Sequence, residues 1–293
     1  MREPSALVAG LGKGVISFNL GFPGVPMSIP PVVSGEAALA LQIGQPRFNA
    51  NWKSPKHRFR RLLSEFIGTA GLTFVLSAGG AILVLYGGIQ VEPIIAAFIL
   101  SAISALWLVV AIYFLGDISS HFNPAMTFAF ALRGDIGWPM CAAYVVVQLL
   151  AAGAGSFLAR SFFGIEGNLA ATVPQPEQFI QAVFFEAILT FGMVLMVISM
   201  ANGPKLNGQF VPVAVGAYVM SLGTLGGPYE GAAMNPARAF GPDLARGDLS
   251  TWWVYVVGPV GGTIVAVLVA KVLRGPAKAQ EAQAAMGTPQ DES

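Results

Sequence analysis

Gly116-Asp-Ile-Ser-Ser-His-Phe-Asn-Pro-Ala-Met-Thr127 and its counterpart Gly231-Ala-Ala-Met-Asn-Pro-Ala-Arg-Ala-Phe-Gly-Pro242 decide how this chain is read. Each sets Asn directly before Pro: Asn123-Pro124-Ala125 in the first stretch, Asn235-Pro236-Ala237 in the second. An Asn cap accepts from the free amides of a helix's first turn. Proline at the first helical position lacks only an N–H that has no partner there, and its φ is already helical. Both stretches should therefore open a helix. Each such helix is short, an apolar piece ending at Arg133 in one case and about two helical turns after Asn235 in the other. Neither reaches the roughly 20 apolar residues needed to cross a bilayer.

Around these short pieces lie six segments that do reach that length or approach it: Leu62 to Tyr86, Pro93 to Leu115, Pro139 to Phe162, Phe179 to Met200, Phe210 to Leu225 and Thr251 to Leu273. Their breaks carry turn chemistry, at Gly87-Gly88 with Pro93, Gly134 to Pro139, Pro174 to Glu177 and Gly203-Pro204. Composition agrees, since the 293 residues are 55% hydrophobic and 11% charged, against about 25% charged in soluble domains. The fold expected is all-α and membrane-embedded, with six spans and two half helices that enter and turn back. A net charge of +1 leaves no broad basic field for nucleic acid. The single cysteine, Cys141, has no partner for a disulfide or a metal site. No Ser/His/Asp set, metal-ligand spacing or phosphate loop is visible, so neither an enzyme nor a cofactor or metal is expected.

The halves resemble each other. Glu65-Phe-Ile-Gly-Thr69 answers Glu186-Ala-Ile-Leu-Thr190, and Tyr144-Val-Val-Val-Gln148 answers Tyr255-Val-Val-Gly-Pro259. Three crossings per half force the second copy to enter from the opposite face, an inverted repeat whose functional site falls between the halves. Lys53, Lys56, Arg58, Arg60 and Arg61 before the first span, and Lys271, Arg274 and Lys278 at the end of the last, place both termini in the cytoplasm. Three parts are expected: residues 1–57 as an extension without fixed structure, 58–274 as the membrane domain, and 275–293 as a cytoplasmic tail.

Two Asn-Pro-Ala turns at equivalent repeat positions, with Arg238 directly after the second, resemble the aquaporin, or major intrinsic protein, family over residues 58 to 274, in a bacterial form with small residues at its constriction. That resemblance implies a passive channel for water and small uncharged solutes in the cell membrane, assembled as a homotetramer with one pore per subunit. It implies half helices meeting end to end, with Asn123 and Asn235 donating to the permeating molecule. A constriction of Arg238, Ala232, Gly223 and either Ser104 or Ile103 is implied by it, as is a scaffolding role for Glu65 and Glu186 beneath the two loops. His121 would line a vestibule or brace its loop. Small side chains at three corners suggest a wide aperture passing glycerol, urea or metalloid acids. Two other classes stay open on the residues: a proton- or ion-coupled transporter, raised by the intramembrane carboxylates, and a structural membrane protein with a vestigial pore. Intact Asn123, Asn235 and Arg238 argue against the second.

Overall fold

Helix α1 (Pro55–Tyr86) begins in the basic run Lys56 to Arg61, ahead of the apolar stretch, because a proline-started helix needs no apolar residue in its first turns. The computed structural model describes residues 55–87, 91–201 and 210–276. The extension at 1–57 and the tail at 275–293 therefore fall almost wholly outside the described residues, as does the break at Gly203-Pro204. Seven further helices complete the described chain: α2 (Pro93–Leu115), α3 (Pro124–Arg133), α4 (Trp138–Phe163), α5 (Phe179–Ala201), α6 (Val211–Glu230), α7 (Pro236–Arg246) and α8 (Val254–Arg274). Six of the helices are long and apolar enough to cross a membrane, and α3 and α7 are the short ones.

The fifth span runs past its expected end at Leu225 to Glu230, through Gly226, Gly227 and Pro228. Those residues look like a stop, but they are contact residues. A Cβ on Gly226 would meet Phe185 and Ala232, and one on Gly227 would meet Ala97 of α2. The sixth span starts at Val254, after a turn at residues 250–253, rather than at Thr251.

Both short helices end alike. Arg133-Gly134-Asp135 and Arg246-Gly247-Asp248 repeat the same three residues, with Gly134 at φ +80° and Gly247 at φ +87°. The amide of Asp135 donates to Phe130 O, and that of Asp248 to Asp243 O, closing the same six-residue loop on each helix. Arg133 pairs with Asp135 at 3.3 Å and Arg246 with Asp248 at 3.2 Å. This is a second mark of the internal repeat, and it seals the far end of each half helix.

Within each half the first and third spans pack closely, α1 on α4 and α5 on α8, while α2 and α6 pack across the pseudo-twofold axis. The half helices cross over: α7 packs on α4 of the first half and α3 on α8 of the second. In lipid no hydrophobic effect drives helices together, so close approach at small residues must do it. A Cβ on Gly155 would run into Ala70 O, and one on Gly262 into Ala187 O, so the helices meet closely at both glycines. Gly262→Val should consequently destabilise the fold by about 3 kcal/mol, the upper part of the usual overpacking range. The check is the melting temperature of the detergent-solubilised protein, and an unchanged value would mean that α5 and α8 have slack at their crossing.

Candidate functional site: a membrane passage between the repeats

The residue before each Asn is bent into the left-handed region, Phe122 at φ +50° and Met234 at φ +51°. Non-glycine residues hold that conformation at a cost of order 1–3 kcal/mol and persist in it only where the surroundings impose it. Two buried carboxylates impose it here. Glu65 accepts from the amides of His121 and Phe122 at 2.8 Å each, and also from Ser119 Oγ and Gln148 Nε2. Glu186 accepts from the amide of Ala233, and from that of Met234 at 2.8 Å. Both glutamates are fully buried.

The bend turns each carbonyl toward the other loop. Asn123 Nδ2 donates to Met234 O at 2.9 Å, and Asn235 Nδ2 donates to Phe122 O at 2.8 Å. Meanwhile Asn123 Oδ1 caps α3 through Ala125 N, and Asn235 Oδ1 caps α7 through Ala237 N and Arg238 N. The two helix N-termini thus meet head to head. One hydrogen of each carboxamide is committed to the opposite loop, and the second is the one left to address the lumen, which both asparagines line.

That lumen has a volume of about 630 Å³. It is lined at one end by Pro93 and Pro228 and at the other by Asp117 and Pro212, so it tracks α2 along its whole length. Twenty-three helical residues span roughly 34 Å, comparable to the hydrocarbon thickness of about 30 Å. His121 lines it too, and is braced: its ring lies 3.1 Å from Thr127 Oγ1 and packs on Phe130 and Tyr144.

Arg238, Ala232 and Gly223 all line the lumen. Arg238 is 9% exposed, and its guanidinium donates from Nη1 to Ala170 O at 3.0 Å. Ala170 closes a left-handed turn, Gly167 to Ala170 with φ between 51° and 56°, that fits against Gly80 of α1. Of the two α2 candidates, Ser104 lines the lumen, whereas Ile103 packs toward Gly79 of α1. The residue directly opposite Gly223, however, is Ser101: an ideal Cβ on Gly223 would sit 2.5 Å from Ser101 Oγ. Ser104 stands one turn along and donates to Ser101 O at 3.0 Å. Sequence reasoning missed Ser101, because two serines three residues apart share a helix face and only the register of α2 against α6 separates them. It also missed Glu230, buried at the end of α6, whose Oε1 accepts from Ala232 N at 2.9 Å.

Two inverted halves closing around a lumen with capped half helices at its centre make this a membrane channel fold. The sequence profile of the family described as "Major intrinsic protein" matches residues 51–270. Nodulin-26 of Glycine max is 35% identical over 224 residues, covering 73% of this chain and 78% of that protein. Aquaporin NIP1-1 of Zea mays is 33% identical over 217 residues, 73% of this chain and 75% of the other. The X-ray structure of the aquaglyceroporin from Plasmodium falciparum superposes with a TM-score of 0.64 at 23% identity, over 74% of this chain and 97% of that one. The chain belongs to the major intrinsic protein family. It is a multi-pass membrane channel for water and small solutes, and not an enzyme.

Proposed function

We propose that this channel has a wide selectivity region and passes small uncharged hydroxylated or amide solutes, glycerol, urea or metalloid acids, alongside water. The observation that carries this reading is the set of residues that line the lumen together with Arg238 on α2, α6 and the second loop: Ser101, Ser104, Gly223 and Ala232 are all small, and none is aromatic. Small walls leave room for a solute with carbon or boron at its centre. Ser101 and Ser104 offer hydroxyls along one side of the lumen, and Arg238 fixed donors on another. The α3 and α7 N-termini each contribute about half a positive charge at the centre. Together with Arg238 they oppose cations and protons, and the free carboxamide hydrogens of Asn123 and Asn235 orient a passing water so that it does not relay a proton.

Glu65 and Glu186 serve as scaffolds for the loops, which supports a passive pore over a coupled transporter, since all four carboxylate oxygens already accept backbone amides. His121, held by Thr127, Phe130 and Tyr144, braces the vestibule. The channel is a homotetramer in the cell membrane with both termini cytoplasmic, residues 58–274 forming the channel and 1–57 and 275–293 flanking it.

The test is to refill the empty corner. Histidine at Gly223 collides with Ser101 unless the serine is removed, so the variant is Gly223→His with Ser101→Gly; with the serine side chain gone, the nearest remaining atom, Ser101 Cα, lies 3.9 Å away. Stopped-flow light scattering on proteoliposomes should show glycerol and boric acid fluxes reduced at least tenfold, about 1.4 kcal/mol of added barrier, with water flux retained. An unchanged ratio of solute to water permeability would place the narrowest point elsewhere.

A further inference from the structure

We propose that Glu230 is a positioning residue for the selectivity region: by holding the loop from Gly231 to Met234 it sets where Ala232 and Arg238 stand in the lumen. This rests on the reading of Arg238 and Ala232 given above. Glu230 is 1% exposed and does not line the lumen. A buried carboxyl in a membrane domain is costly unless it is partnered, and the one hydrogen bond that this side chain accepts comes from the pore loop. Its Oε1 accepts from the amide of Ala232, which sits at φ +46°. Tyr255 OH donates to its backbone carbonyl. Glu186 takes the next two amides, Ala233 and Met234. Three consecutive amides are thus held by two carboxyl groups side by side.

The other half of the molecule is the control. There Glu65 holds His121 N and Phe122 N, and the group between that carboxylate and the repeat-equivalent tyrosine is a hydroxyl: Ser119 Oγ is 2.6 Å from Glu65 and 2.9 Å from Tyr144 OH. A hydroxyl therefore suffices to hold a loop of this kind. In the second half Tyr255 OH instead bonds the backbone carbonyl of Glu230, and the Glu230 side chain differs from that of Ser119 in two ways. It reaches one amide further, to Ala232, and it brings a carboxyl near the guanidinium of Arg238, whose electrostatic neighbours include Glu186 and Glu230. The first loop has no such need, since Met126 occupies the position of Arg238 after its Asn-Pro-Ala turn. The additional carboxyl accompanies the loop that carries the cation.

The experiment compares glycerol and water permeability in proteoliposomes of the full chain for Glu230→Gln, Glu230→Thr, Glu230→Ala and Arg238→Val, with the melting temperature taken on the same preparations. Released from Glu230, the strained Ala232 segment relaxes into the lumen, the open space beside it. Thr and Ala should therefore lower the glycerol-to-water ratio about fivefold, equivalent to about 1 kcal/mol, while Gln, which keeps an acceptor for Ala232 N, stays within twofold of the parent. Thr and Ala variants that fold and keep the parent's ratio overturn the proposal. So does a chain that folds with Gln but with neither Thr nor Ala, since that is a purely structural residue. Should Arg238→Val also leave the ratio unmoved, the reading of the passage itself fails; if it alone moves the ratio, only the role of Glu230 does.

Discussion

Glu65→Leu is expected to abolish the folded channel. Four donors converge on that carboxylate: His121 N, Phe122 N and Gln148 Nε2 at 2.8 Å, and Ser119 Oγ at 2.6 Å. Each buried donor left without an acceptor costs about 1–3 kcal/mol, so the set loses about 4 kcal/mol even at the low end. Folded domains have only about 5–15 kcal/mol in hand. Phe122 would also be released from its left-handed conformation, its carbonyl would swing away from Asn235, and the second loop would lose a contact it has no means to replace. Glu65→Gln should fall between the two, since the carboxamide keeps one accepting oxygen and turns an NH₂ group toward donors. Size-exclusion yield and melting temperature in detergent give the answer. A Leu variant with the parent's melting temperature would mean that water from the lumen satisfies the loop amides and that the carboxylate is not what holds them.

Arg238→Val should raise cation leak roughly 100-fold while glycerol flux is kept or increased. At about 6 Å and an effective dielectric of about 20, a unit charge acts on a passing cation with about 2.8 kcal/mol, or close to two orders of magnitude in rate. Exclusion should weaken rather than vanish, because the N-termini of α3 and α7 keep their partial charges. Potassium and proton leak in liposomes under an imposed potential, measured beside glycerol flux, separates the outcomes. Intact ion exclusion with lost solute flux would show that the bond from Arg238 to Ala170 O serves to hold the left-handed turn, and not to screen the lumen.

The sequence was most informative where local chemistry is self-contained. Asn123-Pro124 and Asn235-Pro236 read as capped helix starts because the cap and the helix it serves are adjacent in the chain, and the structure has both caps. Long apolar runs located all six spans, and the match of Glu65 with Glu186 located the two buried carboxylates. What escaped was whatever depends on how one helix sits against another. Ser101 and Ser104 share a face of α2, and which of them faces Gly223 is decided by the sliding of α2 along α6, a quantity with no local signature. Gly226-Gly227-Pro228 read as a stop because glycine and proline do end helices; here the glycines bring α6 against α2 and α5. Glu230 had no counterpart at the matching position of the other half, so comparison of the repeats passed over it. The two Arg-Gly-Asp copies are identical triplets at the ends of equivalent half helices, and what the triplet alone does not carry is that each glycine takes a positive φ and closes its helix.

The exchange of half helices between the repeats bears on how the ribosome and the insertion machinery must make this molecule. When α3 leaves the ribosome, the surface it will rest on, α8, has not been translated; 120 residues lie between Arg133 and Val254. Until then the first half has its three crossings and a loop tethered by Glu65, but its short helix lies in lipid or at the interface with one flank uncovered. The mutual bond between Asn123 and Met234 is equally out of reach. A product that stops before the second Asn-Pro-Ala turn lacks Asn235 and Arg238 from the lumen lining and so cannot form this passage. For a cell whose ion gradients would be dissipated by a half-built pore, the second Asn-Pro-Ala turn is the earliest point in synthesis at which the passage can exist.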